Sequence, residues 1–377
     1  MNSGHCRAMR GSESMRTTGI SIFTGMEYSV EDNLRYLEKA SHRGFRRIFT
    51  SMQRPGSDPA RVSVEMPQVT RKVKELGMEI VTDISPRALT IFNATLDDLS
   101  PFRDAGVTAL RLDDGFSNKQ AAEITHNSAG LKIELNGCHY FDPDLDEMLA
   151  SGADAGNLQA SFNYYPRFES GISMDFLKQQ ASAYSRHGIP LFAFVHSSPL
   201  HTRVTVESHR HMSPGRAAEE LFAVQGIDTV LIGDPMAPDE DLDAIAEVGS
   251  RDYVRIRALP SPGVTEGERY LMFENQLTAK PGTMLSLRHT YRFPPEALHR
   301  MVAPHNCTPR GEYSVTVDNE LYREGNNNLK NSCELNVWFD KMPADERINV
   351  VGTVMEEDRD LVRMVRPFSK FRLVPQD

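Results

Sequence analysis

No apolar run in this chain approaches the roughly 20 residues needed to span a bilayer, which argues against a membrane-spanning protein. Nor is there an excess of basic charge. With 42 Lys and Arg against 52 Asp and Glu, the formal net charge is -10. An acidic surface repels a phosphate backbone, so no nucleic-acid partner is expected, although a locally basic pocket for a small anion remains compatible. The four cysteines, Cys6, Cys138, Cys307 and Cys333, lie far apart with no CxxC pair and no metal-type spacing, as expected of incidental thiols in a reducing compartment. Nucleotide-binding GxGxxG and GxxxxGK[ST] loops are absent, as are a GxSxG elbow and an HExxH helix. Three histidines cluster at His201, His209 and His211, with His196 nearby, but they fall on a loop-like stretch between Pro199 and Pro214. Neither a metal nor a cofactor is expected.

What the chain does contain is a rhythm. Seven times in its first 230 residues a helical stretch closes on glycine and steps into a short apolar run. These glycines are Gly44, Gly77, Gly106, Gly130, Gly156, Gly188 and Gly226. Glycine just past a helix takes the left-handed turn cheaply, so each marks a helix end feeding a strand. The runs are Phe45–Thr50, Met78–Asp83, Val107–Asp113, Leu131–Asn136, Asn157–Asn163, Ile189–His196 and Ile227–Asp234. An eighth, Gly19–Thr24, precedes the first helix. Eight strands alternating with helices predict an α/β fold, a (β/α)8 TIM barrel, over residues 18–250. Residues 1–17 are polar, with Arg7, Arg10 and Arg16 but no apolar segment. They read as a disordered extension rather than a secretory signal. The 377 residues exceed one barrel, and after Val248 the rhythm gives way to β-type alternation, as in Glu312–Val317 and Cys333–Phe339. Turn signals at Pro262-Gly263, Pro281-Gly282 and Gly325–Asn328 complete the pattern of a small β-barrel-like domain over 254–377.

Strand parity carries the chemistry. Side chains two apart share a face, so Leu110, Leu112, Leu131, Ile133 and Leu135 suit the helix layer and turn their neighbours inward. Arg111 and Asp113 thus point inward from strand four, Lys132, Glu134 and Asn136 from strand five, and Gln159, Ser161 and Asn163 from strand six. Two readings stand at this point: a buried structural network, or a substrate site at the barrel's open end. The latter is favoured because Asp113, Glu134, Asn136 and Asn163 lie at or near strand C-terminal ends, where TIM-barrel chemistry resides. Asp83, His196 and Asp234 end strands three, seven and eight and complete the rim. Carboxylates with amides suit acid–base chemistry on a sugar.

The stretches Gly19-Ile-Ser-Ile-Phe23, Phe45–Ser51, Met78–Asp83, Leu110-Arg-Leu-Asp-Asp-Gly-Phe116, Leu131-Lys-Ile-Glu-Leu-Asn136, Asn163-Tyr-Tyr-Pro166 and Thr205-Val-Glu-Ser-His-Arg210 occur in an order that resembles the 6-phospho-N-acetylmuramidase family. The closing Val350–Val354 and Arg366–Phe371 extend the resemblance to about residue 371. It implies a TIM barrel joined to a cyclophilin-like β domain. The implied activity is a cytoplasmic glycoside hydrolase cleaving the β-1,4 bond of N-acetylmuramic acid 6-phosphate–N-acetylglucosamine in cell-wall recycling. The partner is then this small phosphorylated disaccharide, and association into a homo-oligomer stays open.

By position, Asp113 matches the acid of R-L-D-x-G-F, Glu134 that of I-E-L-N, and Asp83 the aspartate closing strand three. Asn163, Tyr165 and Pro166 match N-[FY]-Y-P, and Glu207, His209 and Arg210 match T-x-E-x-H-R. Phe162, His196 and Asp234 depart from the pattern, where histidine, asparagine and asparagine are usual. These departures point to altered substrate preference and argue against an indispensable role for Asp234. Adjacent strands lie about 4.8 Å apart, so Asp113 and Glu134 are expected as the catalytic pair, with Asp83 in reserve. Arg111, Asn136, Asn163 and His196 are expected at the substrate, with Tyr165 as a stacking wall and Arg210, Arg310 or Arg323 at the phosphate. Two rival readings are a lyase or isomerase forming a Schiff base on Lys132, and a sugar-phosphate-binding protein without catalysis.

Overall fold

The computed structural model describes residues 16–52, 54–198, 200–281, 284–293, 302–323 and 332–376. The extension expected over residues 1–17 therefore lies almost wholly outside the described residues, as do Cys6 and the turn at Gly325–Asn328. The chain divides into two compact units, one ending at Arg251 and the other beginning at Asp252.

In the first unit eight parallel strands close on themselves: β1 (Thr17–Ser21), β2 (Arg47–Ser51), β3 (Glu79–Ile84), β4 (Ala109–Leu112), β5 (Lys132–Asn136), β6 (Leu158–Ser161), β7 (Leu191–Val195) and β8 (Ile227–Ile232). Pairing of β1 with both β2 and β8 completes the ring. Helices cover the outside because their apolar stripes match the outward residues of the strands. The helix Val30–His42 starts at a capping box between Ser29 and Asp32 and buries Leu37 and Ala40. Leu110, Leu112, Ile133, Leu135, Ala160 and Phe162 join the same continuous core between strands and helices, as parity requires.

The glycine rhythm holds with one substitution. Gly156 sits inside a short 3-10 turn, Ala155–Asn157, and the left-handed residue ending the preceding helix is Gly152, with φ of 92°. Two glycines four residues apart offered two stops, and the helix Asp142–Ala150 takes the first.

The barrel interior is divided by chemistry. One side is apolar and aromatic, made of Phe49, Val81, Ala109, Phe192, Phe194 and Leu231 with Phe23 above. Phe49 and Phe194 meet edge to face at 5.3 Å, and Tyr164 closes on Phe194 at 5.4 Å. The other side is polar, on β4, β5 and β6, where the sequence places charges and amides inward. Burying these groups is tolerable because they pair with one another.

The second unit is a seven-stranded sheet formed by β9 (Tyr253–Pro260), β10 (Leu277–Thr278), β11 (Ser286–Arg292), β12 (Ser314–Asp318), β13 (Ser332–Trp338), β14 (Ile348–Val354) and β15 (Lys370–Pro375). Their order is β10-β15-β9-β14-β12-β13-β11. The sheet curls until its outer strands nearly meet: the Lys280 amide donates to the Arg288 carbonyl at 2.7 Å. This nearly closed barrel is the β architecture expected from the alternating tail.

Candidate active site

Arg111 organises the open end of the first barrel. It lies on β4 with Asp83 of β3 and Glu134 of β5 as its lateral partners in the sheet. All three side chains turn inward, so a guanidinium is flanked by two carboxylates. The side chain is buried and spends its donors in four directions. Nε donates to Ser161 Oγ at 2.8 Å and Nη2 to Asn163 Oδ1 at 2.6 Å. Nη1 donates to Asp83 Oδ1 at 2.9 Å and to Asp113 Oδ1 at 3.4 Å.

The three acids around it stand at different depths. Asp113 follows the last residue of β4, and its side chain is 46% exposed. It also accepts from Asn136 Nδ2 at 3.2 Å. Asp83 is 17% exposed. Burial pushes its carboxyl up to about 6, against the pull of Arg111. Glu134 is 1% exposed and fully engaged. Ser161 Oγ donates to it at 2.6 Å and Gln159 Nε2 at 2.9 Å, and Arg47 pairs with it from the opposite end of the barrel. Glu134 is thus sealed beneath Arg111, away from solvent, and the expected pairing of Asp113 with Glu134 does not present two acids to a substrate. The pair open to the mouth is Asp83 with Asp113. Two bonds of 2.9 and 3.4 Å to one nitrogen hold the facing oxygens within roughly 6 Å of each other.

Asn136 and Asn163 join the same network, with Asn136 Nδ2 also donating to Asn163 Oδ1 at 3.2 Å. Tyr165 points its hydroxyl at Cys138 Sγ, 3.1 Å away, and burial raises its pKa. Lys132 lies elsewhere. As the first residue of β5 it is exposed at the N-terminal rim, where Nζ donates to the Gly156 carbonyl at 2.6 Å. That position removes it from the strand C-terminal ends, where the Schiff-base reading needs it.

The remaining expected contacts are corrected by burial. Arg210 is fully buried and clamps a loop: it binds both oxygens of Glu207 and the carbonyls of His201, Thr202, Tyr165 and Arg167. Glu207 also accepts the amides of Glu169 and Gly171. His209 is buried against Glu220 at 3.0 Å, and His196 is buried with Nε2 on the carbonyls of His209 and Met212. This Glu207–Arg210 group builds the wall after β7 and leaves no donor for a phosphate. Asp234 likewise anchors that loop by accepting from the Ser197 and Thr202 amides. In the second unit, Arg310 is buried, donates twice to the Pro343 carbonyl and stacks over Trp338. Arg323 ends a 3-10 turn, Glu320–Arg323, and its side chain lies outside the described residues.

Two residues at the mouth escaped the sequence reading. His139 Nδ1 sits 3.1 Å from the Asp113 carbonyl and 3.4 Å from Asn136 Nδ2. Tyr164 packs over the aromatic half of the interior. Its position beside Tyr165 in the Asn163–Pro166 stretch was the available signal, since neighbouring residues at a strand end face different ways. Among the described residues, no group of three or more His, Cys, Asp or Glu side chains could hold a metal ion, and no helix is long and apolar enough to cross a membrane.

The fold and the site define a TIM-barrel protein with acidic and amide side chains gathered at the strand C-terminal ends, followed by a β-barrel-like unit. Residues 18–247 match the family model described as 6-phospho-N-acetylmuramidase, N-terminal, and residues 285–374 match its C-terminal counterpart, so the chain belongs to the 6-phospho-N-acetylmuramidase family, a glycoside hydrolase family. Among solved structures it is similar to an uncharacterized B. cereus protein, at 26% identity over 95% of this chain and 99% of that one, with a TM-score of 0.74. A conserved Enterococcus faecalis protein of unknown function is also similar, at 26% identity over 96% of each chain, with a TM-score of 0.61. No curated protein matches the chain.

Proposed function

We propose that the protein hydrolyses the β-1,4 bond of N-acetylmuramic acid 6-phosphate–N-acetylglucosamine, with Asp83 and Asp113 as the working carboxylates. The observation that carries this reading is their shared hydrogen bonding to Arg111 Nη1 at the open end of the barrel. Asp83, held up to about 6 by burial, keeps its proton long enough to protonate the glycosidic oxygen. Asp113, exposed and oriented by Arg111 and Asn136, attacks the anomeric carbon. Facing oxygens held within roughly 6 Å of each other are compatible with a double displacement, in which the second carboxylate acts as nucleophile. Glu134 positions Arg111 from below rather than meeting the sugar. Family membership supports the substrate class, and a cytoplasmic setting accords with a sugar phosphorylated on import.

Incubation with the phosphorylated disaccharide is expected to release N-acetylglucosamine, and the unphosphorylated disaccharide is expected to react far more slowly. No cleavage of the phosphorylated substrate, or wild-type turnover in both Asp83→Asn and Asp113→Asn, would overturn the assignment.

A further inference from the structure

Beside the carboxylates, over the aromatic half of the barrel, the charge changes sign. Arg54 lies in the loop after β2 and Arg203 in the loop after β7, so both belong to the catalytic face. They converge on the same rings. The Arg54 guanidinium carbon lies 4.0 Å from the Phe23 ring centre. That of Arg203 lies 5.5 Å from Phe23 and 5.7 Å from Tyr164.

Two like charges so placed are under-compensated. Arg54 is half-buried, and among the described residues its guanidinium has no hydrogen bond or ion pair. Glu27, a carboxylate within electrostatic reach, is exposed and makes no ion pair with it. Among the described residues Arg203 has one acidic partner, Asp234, at 3.2 Å, whose oxygens are already shared with the Ser197 and Thr202 amides and the Thr202 hydroxyl. The side chain of Arg203 is 13% exposed, and its Nε is buried without a partner. Burial and repulsion from Arg203 both lower the pKa of Arg54, the mark of a cation held where an anion is missing. Tyr164 joins this pair to the carboxylates, since its hydroxyl feels Arg54, Asp83, Arg203 and Arg111 together.

Resting on the glycosidase reading, we infer that Arg54 and Arg203 form the subsite for the sugar 6-phosphate, with Phe23 and Tyr164 as the apolar surface beneath it. A phosphate monoester brings close to two negative charges and three acceptor oxygens, which two guanidinium forks can meet simultaneously. The substrate carries a second anion, the lactyl carboxylate of muramic acid, and the test must separate the two.

Calorimetric titration of the full chain with N-acetylglucosamine 6-phosphate, N-acetylglucosamine and N-acetylmuramic acid makes that separation. The wild-type protein should bind the 6-phosphosugar more tightly than either unphosphorylated sugar. Arg54→Gln should cut that preference about ten- to a hundredfold, the loss typical of a charge-assisted bond. Arg54→Lys should restore part of it. Arg54 makes no ion pair, so its variants should keep the wild-type urea midpoint. Arg203→Gln gives a second, independent loss of the same preference. The subsite is wrong if the wild type shows no preference for the phosphosugar, if the preference survives Arg54→Gln, or if the variant instead loses N-acetylmuramic acid. Binding that needs phosphate and Arg54, without hydrolysis of the disaccharide, would sink the glycosidase reading and leave the subsite standing. Hydrolysis unaffected by Arg54→Gln would do the reverse.

Discussion

Asp83 shows how one side chain's surroundings set its role. It sits beside a cation that favours its charged form, yet burial outweighs that pull and raises it from 3.8 to about 6. Under the proposed assignment the free acid, which predominates below about pH 6, is the proton donor, and kcat/KM is expected to fall as pH rises through that value. Asp83→Asn should remove this basic limb and lower kcat about 10²–10⁴-fold, as for loss of a general acid. A pH–rate profile of the variant that kept both the limb and the rate would refute this role. The stability sign runs the same way. The folded state holds the proton more tightly than the unfolded one, so stability is lost as pH rises between 3.8 and about 6. Parity in the sequence was enough to turn Arg111, Asp113 and Glu134 inward, but not to rank their depth. Glu134 lies beside Arg111 in the sheet and is two residues short of the end of β5, which leaves it a layer below the mouth.

Among elements, the loop after β7 is the one whose ordering depends on a single buried cation. Arg210 and Glu207 are three residues apart on a 3-10 turn, and the arginine ties four carbonyls to that turn. Its hydrogen bonds, followed by those from the Glu169 and Gly171 amides, hold the Glu207 carboxyl down at about 2. A lowered acid pKa stabilises above the unfolded value of 4.5 and ceases to do so as pH falls through about 2. Amide exchange between residues 200 and 212 is expected to accelerate as pH is lowered across that window, after correction for intrinsic rates. Arg210→Ala should produce the same opening at neutral pH and cost about 1–3 kcal/mol, as leaving buried carbonyls without their donor does. Unchanged protection in the variant would contradict the clamp. The sequence singled out Glu207, His209 and Arg210 as a group. It could not tell a wall from a binding surface, because that depends on carbonyls of residues 165 and 167 brought in by another strand.

Closure of the first barrel rests on a close backbone approach at Gly19. It pairs with Arg47 of β2 and Leu231 of β8, and a Cβ there would stand 2.6 Å from the Arg47 carbonyl oxygen and 3.0 Å from the Leu231 side chain. Gly19→Ala must therefore push β1 from its neighbours, at an expected cost of about 1–3 kcal/mol. A urea midpoint equal to that of the wild type would show that the seam is looser than the geometry says. Arg47 is where this seam meets the polar column: from β2 it reaches Glu134, which shares Ser161 with Arg111. The interior is thus bridged from its N-terminal rim to its open end by paired charges on one side and by aromatic rings on the other.

The alternation of apolar and polar residues determined by itself that eight strands would close into a barrel, that β4, β5 and β6 would turn polar side chains inward, and that a β unit would follow. Those features depend on the local period of the chain, which is written residue by residue. Depth, access and partnership were decided by tertiary structure alone. The sheet places Glu134 under Arg111, the folded loop consumes Arg210, and strands distant in sequence bring Arg54 and Arg203 onto the same rings. A charge is free or spent according to what stands within a few ångströms of it, and no local pattern specifies that.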